Sequence, residues 1–258
     1  MYALQELKLK VVDSKYAKPF IERYHYSKSC PNIVAAIGEY YNGKMKNCIV
    51  FNYCVGRGMA QQVWSKGDAS NTLELARMVS IEPKPKNMES YCIAKALKWL
   101  KQNMPNIKIV ISYADNAMGH HGYCYQASGF IYYGQSRATI EHYVDGKRVH
   151  ERTLNNKYGS SSEQHLKSIL GDRYVCKTNG KTKSRYYKIV AQSKKEQSQI
   201  QSQILVKGLP YPKGDNLKYD MNIKSNFMEL DSIKAQQKDT RIVNEQFDIF
   251  DLLEGDKT

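Results

Sequence analysis

LELARMVSIEPKPKNMESYCIAKALKWLKQNMPNIKIVISYADNAMGHHGYCYQASGFIYY, residues 73–133, decides the fold. Leu73–Ile81 reads as a strand, and Pro83 and Pro85 stop it, because proline has no N–H to give a ladder. From Asn87 or Ser90 a helix opens, with Ile93, Ala96, Leu97 and Leu100 at helical spacing, and Pro105 ends it. Ile107–Ile111 is a short apolar run of the kind that forms a buried strand. Asp115–Ser128 reads as a loop and a short helix that Gly129 stops, and Phe130–Tyr133 is the next strand. Strand, helix, strand, short helix, strand: the alternation predicts a mixed α/β sheet with helical crossovers.

Working outward, Leu4–Val12 is a strand candidate, and Ser14 can cap a helix running to about Tyr24. Ile33–Tyr41 and Lys44–Tyr53 flank Asn42-Gly43, the strongest short hairpin signal. Gly56–Asn71 is glycine-rich and polar, hence a loop. Thr139–Val144 turns at Asp145-Gly146 into Lys147–Leu154. Asn179-Gly180 between Tyr174–Lys177 and Tyr186–Val190 predicts a second hairpin. The expected division is a catalytic domain over 1–158, a basic hairpin extension packed on it over 159–213, and a polar, acidic, mostly disordered tail over 214–258.

The chain has 258 residues and 41% hydrophobic composition, ample for one core. No run approaches 18 apolar residues, and the N-terminus MYALQELKLKVVD has neither the apolar run nor the cleavage site of a signal peptide. No membrane segment is expected. The six cysteines are scattered with no CxxC pair, which fits reduced, mostly buried thiols in a reducing cytoplasm.

Net charge is +14, unevenly spread. Residues 1–213 hold 33 Lys/Arg against 15 Asp/Glu, an excess of 18, while the last 45 residues hold 6 against 10. A body with that excess attracts polyanions, nucleic acid above all. Arg173, Lys181, Lys183, Arg185, Tyr186 and Lys188 interleave base and aromatic within the second hairpin. Such a ribbon can neutralise phosphates while tyrosines stack on bases; a solvated edge hairpin bears the same residues.

Tyr125-Gln126-Ala127-Ser128-Gly129-Phe130, with Asp115-Asn116 before it, resembles the helix end beside the acyl-CoA thiol in GNAT acyltransferases. A narrower resemblance runs in order over 1–213. It is carried by His25-Tyr26-Ser27, Glu74-Leu75-Ala76-Arg77, Pro85-Lys86-Asn87-Met88-Glu89-Ser90, Ser112-Tyr113-Ala114-Asp115, Gly119-His120 and Gly122-Tyr123-Cys124-Tyr125. Tyr132 with Gly134, His150 with Arg152-Thr153, Lys183-Ser184-Arg185-Tyr186 and Tyr211-Pro212-Lys213 continue it. These pieces resemble the Mom family, phage enzymes that modify adenine in DNA. The resemblance implies a GNAT-like splayed central sheet flanked by helices, and a methylcarbamoyl group added to N6 of adenine in double-stranded DNA. It further implies a chain encoded by a phage or prophage that protects its DNA from restriction endonucleases in a bacterial host.

It also implies acetyl-CoA or a related CoA thioester. GNAT enzymes hold the CoA pyrophosphate in a glycine-rich loop. Glu82-Pro83-Lys84-Pro85-Lys86-Asn87 stands in that place with no glycine, which leaves Lys84 and Lys86 as point charges and Asn87 and Ser90 as contacts at the helix start. For Ser90 the bland reading is simple capping.

The N6 amine is a poor nucleophile, so the chemistry needs an activated donor, a base and exclusion of water. Tyr125 is the candidate general acid, against a buried helix tyrosine. Asp115 is the candidate base or adenine contact, against a helix cap. His25 with Tyr26 is placed to bind the base, shuttle a proton or ligate a metal, against a structural histidine. Arg77, inside an apolar strand, orients Asp115 or holds a phosphate. Its bland reading is an ion pair with Glu74, which three-residue spacing on a regular strand would separate. His25, His120, His121 and Asp115 offer nitrogen and oxygen ligands for iron or zinc.

In the tail, Gln246-Phe247-Asp248-Ile249-Phe250 resembles the pentapeptide by which bacterial proteins dock on the replication sliding clamp, with Gln246, Ile249 and Phe250 as the contacts. The bland reading is a short amphipathic helix folded on the domain. Two other functions fit the chain: a GNAT N-acetyltransferase acting on a protein or small amine, and a non-catalytic basic DNA-binding protein.

Overall fold

A computed structural model describes residues 2–54, 58–136, 138, 140–178 and 182–212. The first strand, β1 (Lys8–Val11), leads into helix α1 (Ser14–Tyr24). Asp13 rather than Ser14 caps it, its carboxylate accepting the Lys15 N–H at 2.8 Å. Strands β2 (Ala35–Tyr41) and β3 (Lys44–Tyr53) form the expected hairpin. Asn42 (φ 48) and Gly43 (φ 77) both adopt the left-handed conformation that a tight two-residue turn demands.

After a short helix α2 (Met59–Val63), inside the stretch expected as loop, comes the stretch that decides the fold. Strand β4 (Thr72–Ser80) is followed by helix α3 (Met88–Asn103), strand β5 (Ile109–Asp115), helix α4 (Tyr123–Ala127) and strand β6 (Ile131–Gln135). Helix α3 buries Met88, Cys92, Ile93, Ala96 and Leu100 against Ile37, Ile49, Phe51, Leu73 and Val110 of the sheet. Each fully buried Leu or Ile in that face contributes about 1.5–3 kcal/mol.

The central sheet has seven strands in the order β1-β2-β3-β4-β5-β10-β6, where β10 is Lys183–Ile189. Among the described residues, only β4 and β5 run parallel. They pair from Thr72↔Ile109 to Leu75↔Ser112 and no further, although β4 continues to Ser80 and β5 to Asp115. The sheet thus splays, as the GNAT resemblance implies. The last tie at the fork is the Ser112 hydroxyl, which donates to the Leu75 carbonyl at 3.0 Å.

The second hairpin does not form. Tyr174–Thr178 (β9) pairs with β7 (Ile140–Val144) in a separate three-stranded sheet with β8 (Lys147–Val149). Strand β10 instead enters the central sheet between β5 and β6, antiparallel to both. Its burial explains the difference: Ser184, Tyr186 and Tyr187 are completely or almost completely buried, which a solvated ribbon would not allow. The small sheet packs on α5 (Glu151–Tyr158) and α6 (Glu163–Leu170) around Leu154, Leu166 and Tyr174, and α7 (Lys194–Gln201) follows β10.

Among the described residues, no helix is long and apolar enough to cross a membrane. All six cysteines are free thiols. The clamp-like residues Gln246, Ile249 and Phe250 and the rest of the tail lie outside the described residues, as does Lys181.

Candidate active site

The splay opens a cleft of about 570 Å³, and His25, Tyr26, Arg77, Asp115 and Tyr125 all line it. They arrive from five places: the end of α1, the loop after it, the free half of β4, the tip of β5 and α4. A bulge in β4 places Arg77. Val50 pairs with Arg77 and Phe51 with Leu75, so Ala76 is an extra residue. The extra residue reverses the alternation beyond it: Leu73 and Leu75 before the bulge and Met78 after it pack on the same core. Glu74 and Arg77 therefore share the opposite face. This corrects the expectation that spacing keeps them apart.

Arg77 donates from Nε to the Ser29 carbonyl at 3.0 Å and from Nη1 to the Ala76 carbonyl at 2.7 Å. It ties the loop after α1 to the bulge and leaves its positive charge in the cleft. His25 is buried (8% exposed). Burial first, then the Arg77 and His120 charges, push its pKa down to about 4, so the ring is neutral near pH 7. The Tyr26 ring lies 4.2 Å from His25 and 5.5 Å from His120, centroid to centroid. Burial, reinforced by Asp115, pushes its hydroxyl up to about 12.

Asp115 Oδ1 accepts the Ala117 N–H at 3.0 Å and so caps the 3-10 turn at Asn116–Met118. The capping reading is thus correct for one oxygen; Oδ2 makes no hydrogen bond among the described residues. Tyr125 is buried between Phe130 and Tyr186, both rings at 5.5 Å. Burial raises its pKa, opposed by a hydrogen bond with Ser112 at the fork, so its hydroxyl keeps its proton.

The expected cofactor contacts Lys86, Asn87 and Ser90 do not line the cleft; Glu82, Lys84 and Glu89 do. The Ser90 hydroxyl donates to the Asn87 carbonyl at 3.1 Å, a bond within the first turn of α3 rather than a cap of its free N–H groups. Lys84 is held by Glu82 at 2.7 Å and Glu89 at 2.8 Å. Glu82 and Glu89 are balanced by Lys84 and Lys86, so this helix start is neutral overall. Lys84 is engaged by both carboxylates and the two prolines have no N–H, so none of these three holds a pyrophosphate.

No group of three His, Cys, Asp or Glu among the described residues is placed to hold a metal ion, so the expected metal set finds no support. Sequence reading also missed Cys124 as a cleft residue. Burial pushes its thiol up to about 12, which makes it a neutral wall rather than a nucleophile.

The expected phosphate contacts divide. Tyr186 is fully buried and cannot stack on bases; its hydroxyl donates to the His121 carbonyl and accepts from Gln126 Nε2, supporting the cleft floor from beneath. Lys188 donates to the Gly129 carbonyl at 2.9 Å, closing the end of α4. Arg173 makes a two-pronged ion pair with Asp145 on the small sheet, at 2.8 and 2.7 Å. Lys183 and Arg185 line a second cavity, of about 660 Å³.

A model of the Mom protein family matches residues 6–213. The chain belongs to that family. Among Mom-type relatives, the protein named methylcarbamoylase mom of Escherichia phage Mu is 28% identical over 214 residues, which cover 82% of this chain and 86% of that one. Solved structures similar to this Mom-family chain include a GNAT-family acetyltransferase from Streptococcus pneumoniae, 12% identical, covering 71% of this chain and 99% of that one with a TM-score of 0.40. A Bacillus subtilis acetyltransferase in complex with CoA is 12% identical, covering 70% and 97%, with a TM-score of 0.34.

Proposed function

We propose that this Mom-family enzyme adds a methylcarbamoyl group to N6 of adenine in double-stranded DNA, protecting phage DNA from restriction endonucleases. The observation that carries the reading is the convergence of His25, Tyr26, Arg77, Asp115 and Tyr125 on one cleft at the fork of the sheet. The likeness to the phage Mu methylcarbamoylase supports the transferred group, and the excess of 18 positive charges over 1–213 supports DNA as the substrate.

A cleft of about 570 Å³ has room for one base turned out of the duplex. The bond that forms joins N6 to the methylene carbon of a CH2–CO–NH2 group carried by an activated donor; the bond from that carbon to the donor breaks, its electron pair leaves with the donor, and N6 gives up a proton. Asp115 Oδ2, which has no hydrogen-bond partner among the described residues, takes that proton. Tyr125 and Tyr26 stay protonated and donate hydrogen bonds, and Arg77 offsets the negative charge that would otherwise gather around Asp115. Lys84 held by Glu82 and Glu89, with no glycine beside it and no proline N–H to donate, speaks against the alternative of an acetyltransferase acting on a protein or small amine through a pyrophosphate-anchored donor.

The test is nucleoside mass spectrometry of DNA from bacteria expressing the full chain. Deoxyadenosine bearing CH2–CO–NH2 is the expected product. An acetylated deoxyadenosine would point to acyl transfer, and unaltered DNA with strong DNA binding would point to a non-catalytic protein.

A further inference from the structure

The second cavity shares Tyr113 with the cleft and belongs to no step of the chemistry above. Gln62 of α2, Glu74 of β4, Tyr113 of β5, and Lys183 and Arg185 of β10 line it. Its volume suits a nucleotide. Glu74 is half-buried, and its carboxylate makes no hydrogen bond or ion pair among the described residues. Burial raises its pKa, with Lys183 and Arg77 opposing the rise. A carboxylate withdrawn from water without a protein partner costs free energy, and a ligand that donates to it would recover that cost.

The neighbours are cationic and aromatic. The Arg185 guanidinium lies 4.8 Å over the Tyr133 ring, and its Nε is buried without a hydrogen-bond partner among the described residues. Tyr113 packs against the buried cluster of Ile109, Ile111, Tyr133 and Tyr187, which holds its ring. An acceptor-only carboxylate, a fixed ring and two cations are the groups that hold, respectively, a base amine, a base face and a phosphate.

We infer that the second cavity holds the nucleotide next to the target adenine. Glu74 accepts a hydrogen bond from its exocyclic amine, Tyr113 supports its ring, and Lys183 and Arg185 take its phosphate. The inference rests on the DNA-modification reading. On the major-groove edge of a base, a carboxylate favours cytosine or adenine, whose N4 or N6 amines donate, over thymine or guanine, which offer a carbonyl at that position. Glu74 thus sets the sequence context in which an adenine is modified, while Asp115 acts on the adenine itself.

The experiment maps modified adenines in DNA from cells expressing the full chain or Glu74→Gln, and measures total adduct in parallel. The wild-type protein is expected to favour cytosine or adenine at one flank by about fivefold or more. Glu74→Gln, which adds an amide donor, should flatten or invert that preference while adduct still forms. The same flanking profile in both proteins would overturn the inference with the modification reading intact. Where Glu74→Gln melts normally yet forms no adduct, the purified proteins are compared on short oligonucleotides that differ only in the base beside the adenine. A changed affinity ratio supports the subsite and an unchanged one overturns it. Absence of adduct with the wild-type chain would instead sink the modification reading, and the oligonucleotide ratio alone then decides the subsite.

Discussion

The Nδ1 of His25 accepts the backbone N–H of Ser27 at 3.1 Å. The neutral ring therefore carries its proton on Nε2 and acts as a hydrogen-bond donor rather than a base. With its folded pKa held at about 4, against about 6.5 in an unfolded chain, the folded state refuses a proton that the unfolded state binds between those values. Stability contributed by neutral His25 is complete above about pH 6.5 and lost as pH falls towards 4, at most about 3 kcal/mol. Denaturant melts between pH 4 and 7 should show this loss. His25→Gln should shrink it, leaving a remainder from His120 and His121, whose pKa values burial also lowers.

Asp115→Asn separates capping from catalysis. An asparagine oxygen still accepts the Ala117 N–H, so melting should change by less than about 0.5 kcal/mol. Adduct formation should fall on the order of 100-fold or more, since an amide cannot take the amine proton. Near-normal adduct by nucleoside mass spectrometry would remove Asp115 from the mechanism.

Tyr125→Phe keeps the ring contacts with Phe130 and Tyr186 and removes the hydroxyl. Adduct should fall roughly 100-fold with the fold intact by circular dichroism.

Gly122→Ala should lower stability by about 1–3 kcal/mol. Gly122 sits at φ +76, and a Cβ there would come within 2.6 Å of the Tyr186 ring. Tyr186 is buried beneath the cleft and cannot retreat, so the same change should also reduce adduct. Thermal melting and nucleoside analysis check the two effects.

Lys183→Ala should weaken DNA binding across all sequences and reduce the salt dependence by about one counterion. Arg173→Ala should leave both unchanged, because Asp145 already occupies that guanidinium. Binding titrations from low to moderate salt distinguish the two.

Much of this was legible in the residues. The proline stops at 83, 85 and 105 and the helical spacing from Ile93 to Leu100 mark the crossover around α3, and Asn42-Gly43 marks the first hairpin. The five cleft residues came from matched motifs rather than from periodicity. Tyr113 had a local signal, since strand alternation puts it on the face of Asp115. What escaped was non-local. Asn179-Gly180 is a hairpin signal, but the tyrosines after it bury more surface between β5 and β6 than they would beside β9. The bulge at Ala76 has no signature in LELARMVSI, because the extra residue exists only relative to the partner strand. The pairing of Lys84 with Glu82 and Glu89 needs the fold of the loop before α3, not its composition.

The position of β10 has a consequence for the order of events at the ribosome. Strands β5 and β6 are synthesised as near neighbours but do not pair with each other, because the strand that joins them comes roughly fifty residues later. At about 5–20 residues per second, the nascent chain spends several seconds with two open sheet margins and an unfinished cleft floor. Translation must pass residue 189 before Tyr186 can slide under Gly122, so an incomplete copy has no catalytic floor to misuse.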